Sequence, residues 1–120
     1  MVFKEYIKYN DKFTKKYGKN TVVFMQVGSF FELYGIYVDG KIIGCDVIKI
    51  SEILNVQYTK KNKKNDDNIH SNPWMCGFPD HSIQKFRNIL LNNNFTIVLV
   101  EQVTSPPNPE RAVTEIISPG

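Results

Sequence analysis

A chain of 120 residues with 42% hydrophobic side chains is the length of one domain and can bury a core without disulfide staples. Its net charge of +3 permits a polyanionic partner without demanding one. No apolar run approaches the roughly 20 residues that span a bilayer, and the opening MVFKEYIKYNDK lacks the apolar centre of a signal peptide.

Phe3, Tyr6, Ile7, Asn10, Phe13 and Tyr17 fall on one helical stripe, apolar except at Asn10, and Gly18 supplies the stop. Lys4, Lys8, Lys12, Lys15 and Lys16 lie mostly off that stripe and read as a solvated face, with a phosphate-binding stripe as the alternative. TVVFMQVG, 21–28, is β-branched and nearly all apolar, so it predicts a buried strand. Gly28-Ser29 turns or bulges the chain, and FFELY continues it in extended form. Asp39-Gly40 within VDGK, 38–41, is a turn signal. Ile43, Val47, Ile50 and Leu54 then recur at three- and four-residue steps, which predicts a second helix over 43–55.

VQYTKK, 56–61, reads as a short strand, and the polar block KKNKKNDDN, 60–68, as a mobile hairpin tip or loop. SNPWMCGFPD, 71–80, with two prolines and a glycine, reads as irregular. Asp80 is the expected N-cap of a third helix that turns Ile83, Phe86, Ile89 and Leu90 inward and ends at Asn92-Asn93-Asn94. FTIVLVEQ, 95–102, predicts a central strand, TSPPNPE a rigid loop, and the alternating RAVTEIIS, 111–118, a last strand. This order gives a mixed β-sheet flanked by about three helices, in the α/β (α+β) class. Residues 1–120 read as a single domain, and the close at Ser-Pro-Gly directly after a strand predicts a module excised from a longer protein.

Two cysteines, Cys45 and Cys76, are few for a disulfide scaffold and read as reduced, buried thiols of an intracellular protein. Catalytic templates find little support. Glu32, Asp39, Asp46 and Glu52 are spread over a strand, a turn and a helix, whereas a metal nuclease needs convergent carboxylates. Cys45, Cys76, His70 and His81 lack the paired short spacings of structural zinc. Gly35, Gly40 and Gly44 fit neither nucleotide-loop fingerprint.

The stretch GSFFELYG, 28–35, is more informative. On a strand, Phe31 and Leu33 share one face, and Phe30 and Glu32 the other. Two accounts stay open from this local pattern. In the first, Phe30 fills a core of its own and Glu32 pairs locally. In the second, Phe30 is a wedge that unstacks bases. Glu32, repelled by phosphate, then serves by hydrogen-bonding a base edge, so that ease of deformation becomes specificity.

Four blocks, taken in order, carry a resemblance. GSFFELYG is similar to the Gly-Asp-Phe-Tyr-Glu-Leu stretch of the DNA mismatch-repair MutS family, in its N-terminal mismatch-recognition domain. MCGFPDHSIQKF resembles that family's Met-Ala-Gly-x-Pro-x-His segment, TIVLVEQV its Val-Ala-x-x-Glu-Gln strand, and RAVTEIISPG its Arg-x-Val-x-x-Ile-x-(Ser/Thr)-Pro-Gly terminus. The resemblance implies that Phe30 stacks on a mispaired base and Glu32 hydrogen-bonds it. It implies duplex DNA with a mismatch or small loop as partner. The domain itself would be no enzyme and hold no cofactor, while a dimeric parent would carry ATP and Mg far downstream. Gly77, Pro79 and His81 are expected to build the turn before the third helix, and Glu101-Gln102 to serve the fold. Ser29 stands where the family has Asp, Phe31 where it has Tyr, and the run from Gly35 to Lys49 is longer than the family's. Lys60, Lys61, Lys63 and Lys64, which match nothing in the family, are candidate phosphate contacts by their clustering alone. The rival readings are a protein-interaction domain on the same fold and a metal-dependent nuclease-like domain.

Overall fold

The computed structural model describes residues 2–60 and 72–119. The first helix, α1 (Val2–Tyr17), buries Phe3, Tyr6, Asn10 and Phe13 along one stripe. It ends where the Gly18 amide bonds back to the Thr14 carbonyl and Gly18 takes φ +102. Tyr17 departs from the expected stripe: it is an exposed residue whose ring stacks on Phe13.

The apolar run that follows is β1 (Thr21–Val27), which doubles back through Gly28-Ser29 into β2 (Phe30–Val38), with Val27 paired to Phe30. Gly28 takes φ +64 and Ser29 no positive φ, the two-residue II′ hairpin pattern. β6 (Thr96–Gln102) lies parallel to β1 and antiparallel to β7 (Arg111–Ile117). β4 (Tyr58–Lys60) and β5 (Trp74–Pro79) extend the sheet on the far side of β2, so the order is β4-β5-β2-β1-β6-β7. The sheet is therefore mixed, as expected, and the strand expected to be central is interior, flanked by β1 and β7.

Both faces of the sheet are covered. Through Phe3 and Tyr6, α1 packs its edges onto the Tyr34 ring, and the Tyr6 hydroxyl donates to the Val23 carbonyl at 2.8 Å. On the opposite face Phe24, Phe31 and Phe78 form an aromatic cluster, against which Phe86 of α3 (Ile83–Asn92) stacks at 4.4 Å. The helix α2 (Val47–Leu54) packs beside α3 and buries Val47, Ile50 and Leu54.

Three expectations are corrected. The second helix starts at Val47, not at 43, because Ile42 and Ile43 belong to a strand, β3 (Lys41–Gly44), folded back on the far half of β2. Asp39 and Gly40, with φ 50 and 74, make that hairpin, and Asp46 caps the helix by accepting from the Lys49 amide. The segment read as irregular contains β5, whose Pro79 lies at the strand end. Asp80 is not the cap of α3: it opens a short 3-10 turn (Asp80–Ser82), and its backbone amide donates to the Ser29 carbonyl at 2.8 Å. Residues 61–68 of the expected polar loop lie outside the described residues.

Candidate nucleic-acid interface

Phe30 and Glu32 stand at the start of β2, on the face that α1 covers farther along. The cover fades toward the hairpin tip: Tyr34 is 0% exposed, Glu32 half-buried, and Phe30 44% exposed. Phe30 is thus no core residue, while its neighbour Phe31, on the other face, is buried at 3%. The outward face of the sequence reading is outward only at its first residues.

Glu32 is held by its own strand. The Tyr34 hydroxyl, two residues on and on the same face, donates to Glu32 Oε1. Tyr34 is Glu32's only hydrogen-bond partner among the described residues, so Oε2 keeps its accepting capacity for a group arriving from outside. Burial, followed by the bond to Glu32, raises the Tyr34 pKa far above that of an exposed tyrosine, so the hydroxyl stays a donor at any working pH.

The strand alongside shapes the space in front of the pair. In register, β5 sets Pro79 opposite Phe30 and Gly77 opposite Glu32. A Cβ on Gly77 would lie 2.5 Å from the Phe31 carbonyl oxygen and 3.4 Å from the Glu32 Cγ. Only glycine lets the two backbones meet there. Without a side chain at that position, a cleft of about 240 Å³ opens beside Phe30 and Glu32, walled by Gln57, Thr59 and Met75. The Gly-x-Pro block expected to build a turn before α3 is therefore the strand that flanks the Phe-x-Glu pair. Gln57 and Thr59 escaped the sequence reading because nothing local links them to residues 25 to 29 positions earlier in the chain.

The hairpin tip is fastened from β6. The parallel ladder between β1 and β6 reaches Met25↔Val100, and beyond it side chains take over. Gln26 Oε1 accepts from the Gln102 amide at 2.8 Å, while Gln102 Oε1 accepts from the Gly28 amide at 2.8 Å and its Nε2 donates to the Gly28 carbonyl at 3.5 Å. Arg111 of β7 donates to the Gln26 carbonyl at 2.6 Å and pairs with Glu5 of α1 at 2.7 Å.

The other candidates separate. Lys60 stands at the sheet edge with its Nζ 4.8 Å from the Trp74 ring centroid, against which Tyr58 also packs edge-on. Lys61, Lys63, Lys64 and His70 lie outside the described residues. Asp39 sits at a turn, Asp46 is engaged by the Tyr37 hydroxyl at 2.6 Å, and Glu52 is exposed on α2, so these carboxylates do not converge with Glu32. Among the described residues no three His, Cys, Asp or Glu side chains group to hold a metal ion, and no helix is long and apolar enough to cross a membrane. Cys45 and Cys76 are both free and buried, and burial pushes the Cys76 thiol up to about 12.

The family model for MutS domain I matches residues 6–120, which includes the hairpin, β5 and the β6–β7 pair. The chain belongs to the MutS domain I family. Similar proteins include a DNA mismatch repair protein mutS homolog of Acanthamoeba polyphaga mimivirus, 28% identical over 120 residues, or 99% of this chain and 10% of the relative. The DNA mismatch repair proteins MutS of Staphylococcus aureus strains JH9 and Newman are 28% identical over 106 residues, covering 85% of this chain and 11% of each relative. This MutS domain I thus spans about a tenth of the length of the curated relatives it matches.

Proposed function

We propose that this MutS domain I reads base-pairing defects in duplex DNA, as one module of a larger mismatch-repair protein. The observation that carries the reading is the half-exposed Phe30 ring on a buttressed strand, beside a carboxylate oriented by Tyr34. A ring so placed enters a base step from the minor groove and stacks on the mispaired base, worth ~1–3 kcal/mol. Glu32 accepts a hydrogen bond from that base. Well-paired steps resist opening and mispaired ones do not, so the cost of deformation supplies the discrimination. The domain performs no catalysis and needs no cofactor for this task. ATP and Mg act elsewhere in the full protein, which works as a dimer, whereas the domain alone is a monomer that binds weakly. Lys60, Lys61, Lys63 and Lys64 add contacts to phosphate that carry no sequence information.

The test is a set of titrations of matched and single-mismatch duplexes with the full protein. Phe30→Ala lowers the preference for the mismatch by the ~1–3 kcal/mol of lost stacking and leaves the fold intact. Glu32→Gln leaves binding to matched DNA level or tighter, since a charge repelled by phosphate is gone, while selectivity falls. Neutralising the four lysines weakens all duplexes alike and flattens the salt dependence by roughly one unit of slope per lost contact. Retention of the mismatch preference by Phe30→Ala would overturn the reading.

A further inference from the structure

At the tip of a two-residue hairpin the N–H and C=O of the first turn residue point out of the ladder and ordinarily bond to water. Here both of these Gly28 groups meet one side chain, the Gln102 amide, which accepts from the N–H and donates to the C=O. Gln102 is itself held, its backbone amide donating to Gln26 on the strand that leads into the tip. A third bond, from the Asp80 amide to the Ser29 carbonyl, fixes the other turn residue to the end of β5. The next residue in the chain is Phe30. A wedge that forces a base step open is pushed back by the duplex, and whatever yields first sets how far the step opens. A free hairpin tip would yield before the bases did.

We propose that Gln102 is a positioning residue for the wedge: it welds the β1–β2 tip to β6, so that Phe30 presses on the base step from a fixed base. This rests on the wedge reading above and assigns to the same discrimination a second residue, 72 positions away from Phe30 in sequence, that acts through the hairpin tip. The chemistry needed is an acceptor and a donor on one planar group. Asn and Gln carry that pair side by side on one carbon, with Gln the longer, whereas the acceptor and donor of a neutral imidazole diverge. Glutamate keeps the acceptor for the Gly28 amide and loses the donor for its carbonyl.

The experiment compares Gln102→Ala, Gln102→Glu and Phe30→Ala in the full protein. Each is read by matched and mismatched duplex affinity, by thermal midpoint, and by hydrogen exchange of the peptide covering the hairpin tip. In Gln102→Ala the tip peptide exchanges faster and the mismatch-to-match ratio falls about three- to tenfold, while affinity for matched duplex stays unchanged. Gln102→Glu is intermediate in both exchange and ratio, and serves alone should the alanine variant not fold. A faster-exchanging tip with an unchanged ratio overturns the proposal, as does a loss shared equally by matched and mismatched duplexes. Phe30→Ala separates the two ideas. A ratio lost there but kept in Gln102→Ala overturns the positioning role alone, and a ratio kept in both overturns the wedge and the positioning role together.

Discussion

The strand β2 ends in a tight turn on each side, and the two turns are built differently. At one end Asp39 and Gly40 both take positive φ and hand the chain to β3; among the described residues no side chain reaches their backbone. At the other end Gly28 and Ser29 are tied to β6 by the Gln102 amide and to the start of the 3-10 turn by the Asp80 amide. Hairpin geometry alone needs neither attachment, as the first turn demonstrates. What distinguishes the second is the residue beside it, a phenylalanine left 44% exposed. On the wedge proposal, the extra bonds lie where a side chain is to transmit force, and the turn that only reverses the chain goes without them.

The largest expected effect strikes the middle of β2 and its surroundings, between the two turns. Tyr6, Tyr34, Cys45 and Cys76 are buried there, and burial raises the pKa of every one of them. Each keeps its proton in the fold at a pH where the unfolded chain has released it, from the ordinary thiol value of 9.0 and tyrosine value of 10.0 upward. Above about pH 9 the unfolded state therefore binds fewer protons, and stability falls as pH rises, a loss still growing at the Cys76 value of about 12. Urea melts at rising alkaline pH check the slope, and a flat profile would mean these groups are hydrated in the native state.

Second in size is Gly77→Ala, which acts at the Phe30 end alone. The added methyl meets the Phe31 carbonyl at 2.5 Å and must drive β5 and β2 apart beside Glu32. A cost of about 2–4 kcal/mol is expected, with mismatch preference lost even in the fraction that folds. Denaturant titration and duplex binding read the two effects separately.

The smallest effect makes the sharpest comparison. A Cβ on Gly28 or on Gly40 meets nothing within 4 Å, so either alanine variant suffers only from its positive φ. Gly40→Ala should lose about 1–2 kcal/mol, the cost of a left-handed position, and Gly28→Ala somewhat more, because the first position of a II′ turn is harder on a side chain. Gly28→Ala should also lower the mismatch-to-match ratio and Gly40→Ala leave it untouched. Equal ratios in the two variants would erase the functional difference between the turns.

How much of this was legible in the sequence follows from how local each signal is. The unbroken β-branched runs of β1 and β6 declare themselves, because a strand buried on both faces needs no partner to be recognised. The pair Phe30 and Glu32 is visible through alternation and through four blocks in family order. β3 was hidden because Ile43 and Val47 stand four apart by accident, one inside a strand and the other beginning a helix. β5 was hidden by Pro73, Gly77 and Pro79, residues that usually break strands. Its glycine answers to the backbone of β2, more than forty positions earlier, and no window of sequence contains both. The bond from Gln102 to Gly28 spans 74 positions and left no local trace at all.

Arg111 ties the domain's first helix to its last strand. Its guanidinium holds Glu5 and the Gln26 carbonyl, and its own carbonyl accepts from the Tyr9 hydroxyl at 3.3 Å. The first helix of the domain is thus secured by its last strand. During translation α1 and β1 leave the ribosome about a hundred residues ahead of the strand that locks them, at a rate of roughly 5–20 residues per second. For those seconds the nascent chain carries an amphipathic helix whose apolar stripe has no finished sheet to cover. Closing so long a loop adds little to the equilibrium cost, since that cost grows only with the logarithm of length, but contacts this distant form slowly. The same arginine that steadies the finished domain makes its assembly wait for the domain's last strand.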